Sequence, residues 1–168
     1  GKSSNGGAIN GYSTVFNCTF KDNHADYGGA MYGGSAFNSK FIDNYANNHA
    51  GALYDGNADC CLFIGNYAYS GGAIRGGFAV NSNFTGNRAG SWGGAACYIS
   101  AENCRFFNNT ASNGGAIYCG LSGSYSSEKF VFKNCIFENN SATYGGAINA
   151  GDAVNCNFMN NSAEIGGA

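Results

Sequence analysis

Apolar and polar residues alternate along this chain in short bursts rather than in helical arcs. In Asn103-Cys104-Arg105-Phe106-Phe107-Asn108-Asn109-Thr110-Ala111, Cys104 and Phe106 flank Arg105, the period of two expected of a strand with one buried face. The burst recurs with its Phe at Phe20, Phe41, Phe63, Phe84, Phe106, Phe137 and Phe158, in steps of 21, 22, 21, 22, 31 and 21 residues. A fixed period of this size marks a solenoid, in which each unit buries its apolar face on a neighbour. No stretch sustains a 3.6-residue apolar period, so helices are not expected.

Each unit carries the same columns. Two residues before the Phe stand Cys18, Ser39, Cys61, Ser82, Cys104, Cys135 and Cys156, all small, as an inward slot beside a large ring requires. Three residues after the Phe stand Asn23, Asn44, Asn66, Asn87, Asn109, Asn140 and Asn161. Stacked in successive coils, such amides can bond along the stack as a ladder as well as to nearby backbone. Two residues on come Ala25, Ala46, Ala68, Ala89, Ala111, Ala142 and Ala163, where only a small side chain fits an inward corner. A less regular column precedes the Cys: Asn17, Asn38, Asn81, Asn103, Asn134 and Asn155, with Cys60 as the exception.

Gly-Gly-Ala elements begin at Gly6, Gly28, Gly71, Gly93, Gly114, Gly145 and Gly166, with Ala50-Gly51-Ala52 as a variant. Paired glycines suit a corner with positive φ and close backbone approach. The next residue is mostly large and apolar (Ile9, Met31, Leu53, Ile74, Ile117, Ile148) and opens a second inward-facing strand. The expected fold is therefore all-β: a parallel β-helix of about seven coils of ~21–22 residues, over residues 1–168 as a single domain. Coils about 4.8 Å apart would span roughly 35 Å. The absence of Pro fits, because Pro removes a ladder donor from every central strand. The long step places an insertion of about ten residues within 118–131, Ser- and Gly-rich, expected to loop from one face.

Composition narrows the partners. A net charge of −2 and 11% charged residues give no field for nucleic acid, and no apolar run is long enough for a membrane helix. Gly1 stands where a Met would, the mark of a processed or excerpted chain. Eight cysteines without metal spacing favour disulfides and an oxidising, extracellular setting; buried, reduced thiols are the alternative. Cys97 and Cys119 lie on adjacent coils at nearly matching positions and form the favoured staple. Cys104, Cys135 and Cys156 share an inward column, while Cys18, Cys60 and Cys61 are candidates for links between chains.

Candidate chemistry is sparse. Asp22 and Asp43 share a column two residues after the Phe and are a weak candidate for a cation or a carboxylate pair, but nothing else in the repeat completes either. His24 and His49 fall at different positions in their coils and read as solvated or structural. No nucleophile triad, phosphate loop or cofactor motif is recognisable, so neither enzyme activity nor a cofactor is expected. Tyr32, Tyr54 and Tyr118 share a column two residues after Gly-Gly-Ala, and Tyr27, Trp92 and Tyr144 precede it. Facing outward, they would stack on sugars or pack against another protomer. Asn-x-Ser/Thr sequons occur at Asn17, Asn83, Asn108, Asn139 and Asn160, and composition alone accounts for most of them.

The tandem Gly-Gly-Ala-Ile and Phe-x-x-Asn motifs resemble the repeats of chlamydial polymorphic outer-membrane proteins and of adhesin-like surface proteins of methanogenic archaea. The resemblance implies a parallel β-helix displayed outside the cell and brings no catalytic residue with it. Unlike those families, the chain is expected to hold no membrane β-barrel, anchor or separate globular domain. Both termini lie within the repeat, at Asn5-Gly6-Gly7-Ala8-Ile9 and Gly166-Gly167-Ala168. The leading expectation is a non-enzymatic extracellular structural protein that self-assembles, head to tail or laterally, into a sheath, coat or fibre through stacked coils and disulfides. The alternative is an adhesin or binding module of a larger cell-surface protein, with cell-surface or glycan ligands.

Overall fold

In a computed structural model that describes residues 3–120 and 129–166, the chain winds into stacked coils, and every strand pairing is parallel. Of the insertion expected within 118–131, residues 121–128 lie outside the described residues. Three sheets run along the stack. The Phe sheet joins seven three-residue strands, from Thr19–Lys21 through Leu62–Ile64 to Asn157–Met159, with Phe on Phe at every step. The long sheet carries Met31–Phe37, Leu53–Asp59, Ile74–Val80 and Ala96–Glu102 at its centre. The third sheet carries the Ala column, in strands such as His24–Tyr27, Tyr45–His49 and Tyr67–Ser70. It continues through isolated bridges at Thr110 and Asn113 to Ser141–Tyr144 and Ser162–Ile165. Two strands per coil are plain in the repeat; this third one is less apolar, which hides its period.

Corners explain the polar columns. Asn17, Asn38, Cys60, Asn81, Asn103, Asn134 and Asn155 have φ of 49–54° and turn the chain from the long sheet into the Phe sheet. Asp22, Asp43, Gly65, Gly86, Asn108, Asn139 and Asn160, at φ of 51–63°, turn it into the Ala sheet. This left-handed region is open to Gly and tolerated by Asn and Asp, so these columns read Asn, Asp or Gly almost throughout. At the third corner the two glycines do different work. The first is left-handed, and Ala50 takes its place at φ 57°. The second admits no side chain, since a Cβ on Gly29 would lie 2.1 Å from the Gly51 carbonyl oxygen of the next coil.

Inside, two axial ladders fill the space between the sheets. The Phe rings stack at centroid spacings of 4.7–4.9 Å and interplanar angles of 3–8°. Phe106 and Phe137 keep 4.9 Å across the 31-residue step, so the extra residues leave the core register intact. Burying the rings contributes roughly 1.5–3 kcal/mol each. Beside them run the asparagines. Asn66 Nδ2 donates to Asn87 Oδ1 and to the Phe41 carbonyl, both at 2.9 Å. Asn66 Oδ1 accepts from the backbone N–H and Nδ2 of Asn44, both at 3.0 Å. All four bonding positions of the amide are thereby used, which is why a fully buried polar side chain is tolerated here.

Asn66→Ala would strand the Asn44 donors, the Phe41 carbonyl and the partner amide at once. A loss of at least about 4 kcal/mol is expected, counting four unsatisfied groups at roughly 1 kcal/mol or more each. Urea denaturation followed by circular dichroism reads it; Asn83→Ala, on the exposed side of its strand, should change stability by less than about 0.5 kcal/mol.

Candidate functional site

All eight cysteines are free, including the expected staple of Cys97 with Cys119. The column beside Phe shows a reason for their presence other than cross-linking. Ser39 and Ser82 hydroxyls donate to the carbonyls two residues back, Phe37 at 2.8 Å and Val80 at 2.7 Å. Cys18, Cys61, Cys104, Cys135 and Cys156 direct their sulfurs to the equivalent carbonyls at 3.2–3.5 Å. Thiol and hydroxyl therefore serve one local bond that closes the corner into the Phe strand. Of the eight, Cys60 alone is exposed; it replaces the corner Asn, and a hydrogen bond with Asp59 raises its pKa. Burial pushes Cys97 and Cys119 from 9.0 to about 12, so both are inert neutral thiols.

Asp22 and Asp43 are corner residues with exposed side chains, and Lys21 lies 3.9 Å from Asp22. Their column alternates Asp, Gly and Asn because of backbone geometry, and no described cluster of His, Cys, Asp or Glu offers three metal ligands. The carboxylates' placement thus follows from the turn alone.

The outer side of the Gly-Gly corner collects the aromatic residues. Tyr32 and Tyr54 are half-buried and stack at 5.0 Å and 8°. Such stacking covers one face of each ring with the other. Tyr27 and His49, from the column before the glycines, close over Tyr54 at 5.9 Å and 6.3 Å. The next residue of the Tyr column is Arg75, whose guanidinium lies over Tyr54 at 5.7 Å and Tyr98 at 5.4 Å and donates to the Tyr54 hydroxyl at 3.1 Å. Burial and then Arg75 lower the pKa of His49; burial raises that of Asp55 against the opposing pull of Arg75.

Two coils further, Tyr118 packs against Trp92 at 6.1 Å and edge-on to Tyr98 at 5.9 Å. Cys97 separates Tyr118 from Arg75 in the column, so the three tyrosines form two groups: Tyr32 with Tyr54, and Tyr118 with Trp92. Around Trp92 the stacking is broken. Tyr69 meets it at 81°, and the two residues are 49% and 36% exposed. Tyr98 holds φ 53°, a costly value for a bulky residue, and its ring is wedged among Arg75, Tyr118 and Phe130. Arg75, Tyr69 and Tyr98 were missed in the motif reading. Column alignment would have placed Arg75 between Tyr54 and Cys97; nothing local marks Tyr98.

With the corners and columns in place, the repeat is comparable with known families. Residues 103–120 and 134–151 match the Chlamydia polymorphic membrane protein repeat. Each match runs from the left-handed Asn corner through the Phe strand and the Gly-Gly corner into the start of the long sheet. Each matched segment covers most of one coil of this solenoid. The family points to a cell-surface protein. No helix among the described residues is long and apolar enough to cross a membrane. No curated protein matches the chain.

Cys61→Ser should change stability by less than about 1 kcal/mol, because Ser39 and Ser82 already make the same bond, and reductant should leave the unfolding curve unmoved. The pKa of Cys97 and Cys119 is raised in the folded state. Their contribution is therefore complete below about pH 9 and is lost as pH rises toward about 12. The double variant Cys97→Ala, Cys119→Ala should flatten that alkaline slope in urea midpoints measured against pH.

Proposed function

We propose that this chain is a non-enzymatic structural shaft of the cell surface, whose coils stack on those of other copies to form a homopolymer such as a sheath, coat or fibre. The observation that carries this reading is the uninterrupted axial order of the core. Phe rings, Asn amides and backbone bonds repeat from coil to coil at one spacing, even across the long step. An open coil face presents to a second copy the same register that it presents to its own neighbour, which is what end-on association requires. The interior needs no cofactor, and the low net charge fits a protein partner rather than nucleic acid.

A second reading, an adhesin-like binding module, is favoured by one specific feature: the exposed aromatic residues Tyr69 and Trp92 beside Tyr118. On that reading the solenoid is the support and this corner meets a glycan or a protein surface.

Electron microscopy and fibre diffraction of native material separate the two. Ordered filaments or tubes with an axial repeat of about 4.8 Å are the expected result. Dispersed short rods that do not polymerise would overturn self-assembly. Loss of glycan or cell binding in Trp92→Ala would then support the second reading.

A further inference from the structure

Two outer columns of the Ala sheet change together along the stack. The corner column reads Asp22, Asp43, Gly65, Gly86, Asn108, Asn139, Asn160. Two residues on, the first outward position of the strand reads His24, Tyr45, Tyr67, Arg88, Thr110, Ser141, Ser162, each in register with the next. In the first four coils the corner is Asp or Gly and the outward residue is aromatic or Arg. In the last three the corner is Asn and the outward residue is Thr or Ser. If the columns varied independently, roughly one arrangement in 35 would bring all three Asn and all three hydroxyls into the same coils.

The other Asn corner serves as an internal control. Asn17, Asn38, Asn81, Asn103, Asn134 and Asn155 adopt the same left-handed backbone, yet only Asn17 is followed two residues later by a hydroxyl, at Thr19. A left-handed Asn therefore does not by itself bring Ser or Thr with it. At the last three coils the corner Asn is exposed, and its hydroxyl partner is exposed at Thr110 and Ser162 and half-buried at Ser141. The residue between is each time a ladder Asn turned inward, by four side-chain bonds at Asn109 and Asn140 and three at Asn161, and Asn108, Asn139 and Asn160 are exposed.

We propose that Asn108, Asn139 and Asn160 form a stripe of N-glycosylation acceptors along one edge of the solenoid. The donor class is an oligosaccharide linked to a lipid diphosphate. The Asn Nδ2 bonds to the anomeric carbon as the bond from that carbon to the diphosphate oxygen breaks. The diphosphate leaves with the electron pair, and one Nδ2 proton passes to a base of the transferring enzyme. Glycan would cover this edge over the last three coils and leave the edge lined by His24, Tyr45, Tyr67 and Arg88 open. The proposal rests on the cell-surface reading above.

The test is intact-glycopeptide mass spectrometry of the protein from its native source, with a membrane-impermeant label applied to whole cells beforehand. Glycan mass on peptides containing Asn108, Asn139 or Asn160 is expected, with sugar fragment ions. Thr110→Ala should abolish the added mass on Asn108 while leaving that Asn, the ladder and the other two sites in place. Surface-labelled protein with all three peptides at their unmodified mass would overturn this proposal and leave the surface reading standing. Protein that takes no surface label and carries no glycan would overturn both. Glycan confined to Asn17 or Asn83 would also overturn the stripe.

Discussion

The buried asparagine amide is the interaction on which the rest of this structure depends. Its two donors and two acceptor positions are all used: one donor bonds to a Phe-strand carbonyl, and the remaining bonds run to the amides above and below. A hydroxyl has one donor, an acid loses its donors when ionised, and Gln would place its amide one methylene further out. The amide thus ties each coil to its neighbours at a fixed height. The Phe stack shares that height because the two columns are three residues apart on one turn. Hydrophobic burial supplies much of the stability; the amide ladder supplies the register.

Register in turn decides what each corner can hold. Coils stacked this closely leave no room for a Cβ at the second glycine, and they require a left-handed residue wherever the path turns sharply. The columns of Asn, Asp and Gly follow from that requirement. The same demand accounts for Asp22 and Asp43, which as a pair of carboxylates look like chemistry and in the coil are turn residues.

The cysteines show how one residue type carries two meanings. Their number and the lack of metal spacing point to disulfides, and their column points to a slot shared with serine. The slot prevails locally because sulfur and hydroxyl both reach the carbonyl two residues back. Covalent cross-links are therefore not needed for the order of the core, and the proposed assembly would fall to outer surfaces and coil faces. Those surfaces are not uniform: aromatic residues and Arg crowd one edge over the first four coils, and Asn with Ser or Thr take over beyond.

The sequence by itself determined the period, the parallel β-solenoid, the inward Phe column, the repeating Asn column and the close-packed Gly-Gly corner. Each is a residue identity repeated at constant spacing, and repetition turns a weak local preference into a strong signal. Only the tertiary structure decided the third strand, the thiol state, the separate roles of the two glycines and the facing of the tyrosines. Those depend on φ and on what the neighbouring coil places one step away. Tyr54 illustrates the division: its column was legible, but whether its ring offered a face or an edge depended on Tyr32 stacking on it at the height the asparagine ladder sets.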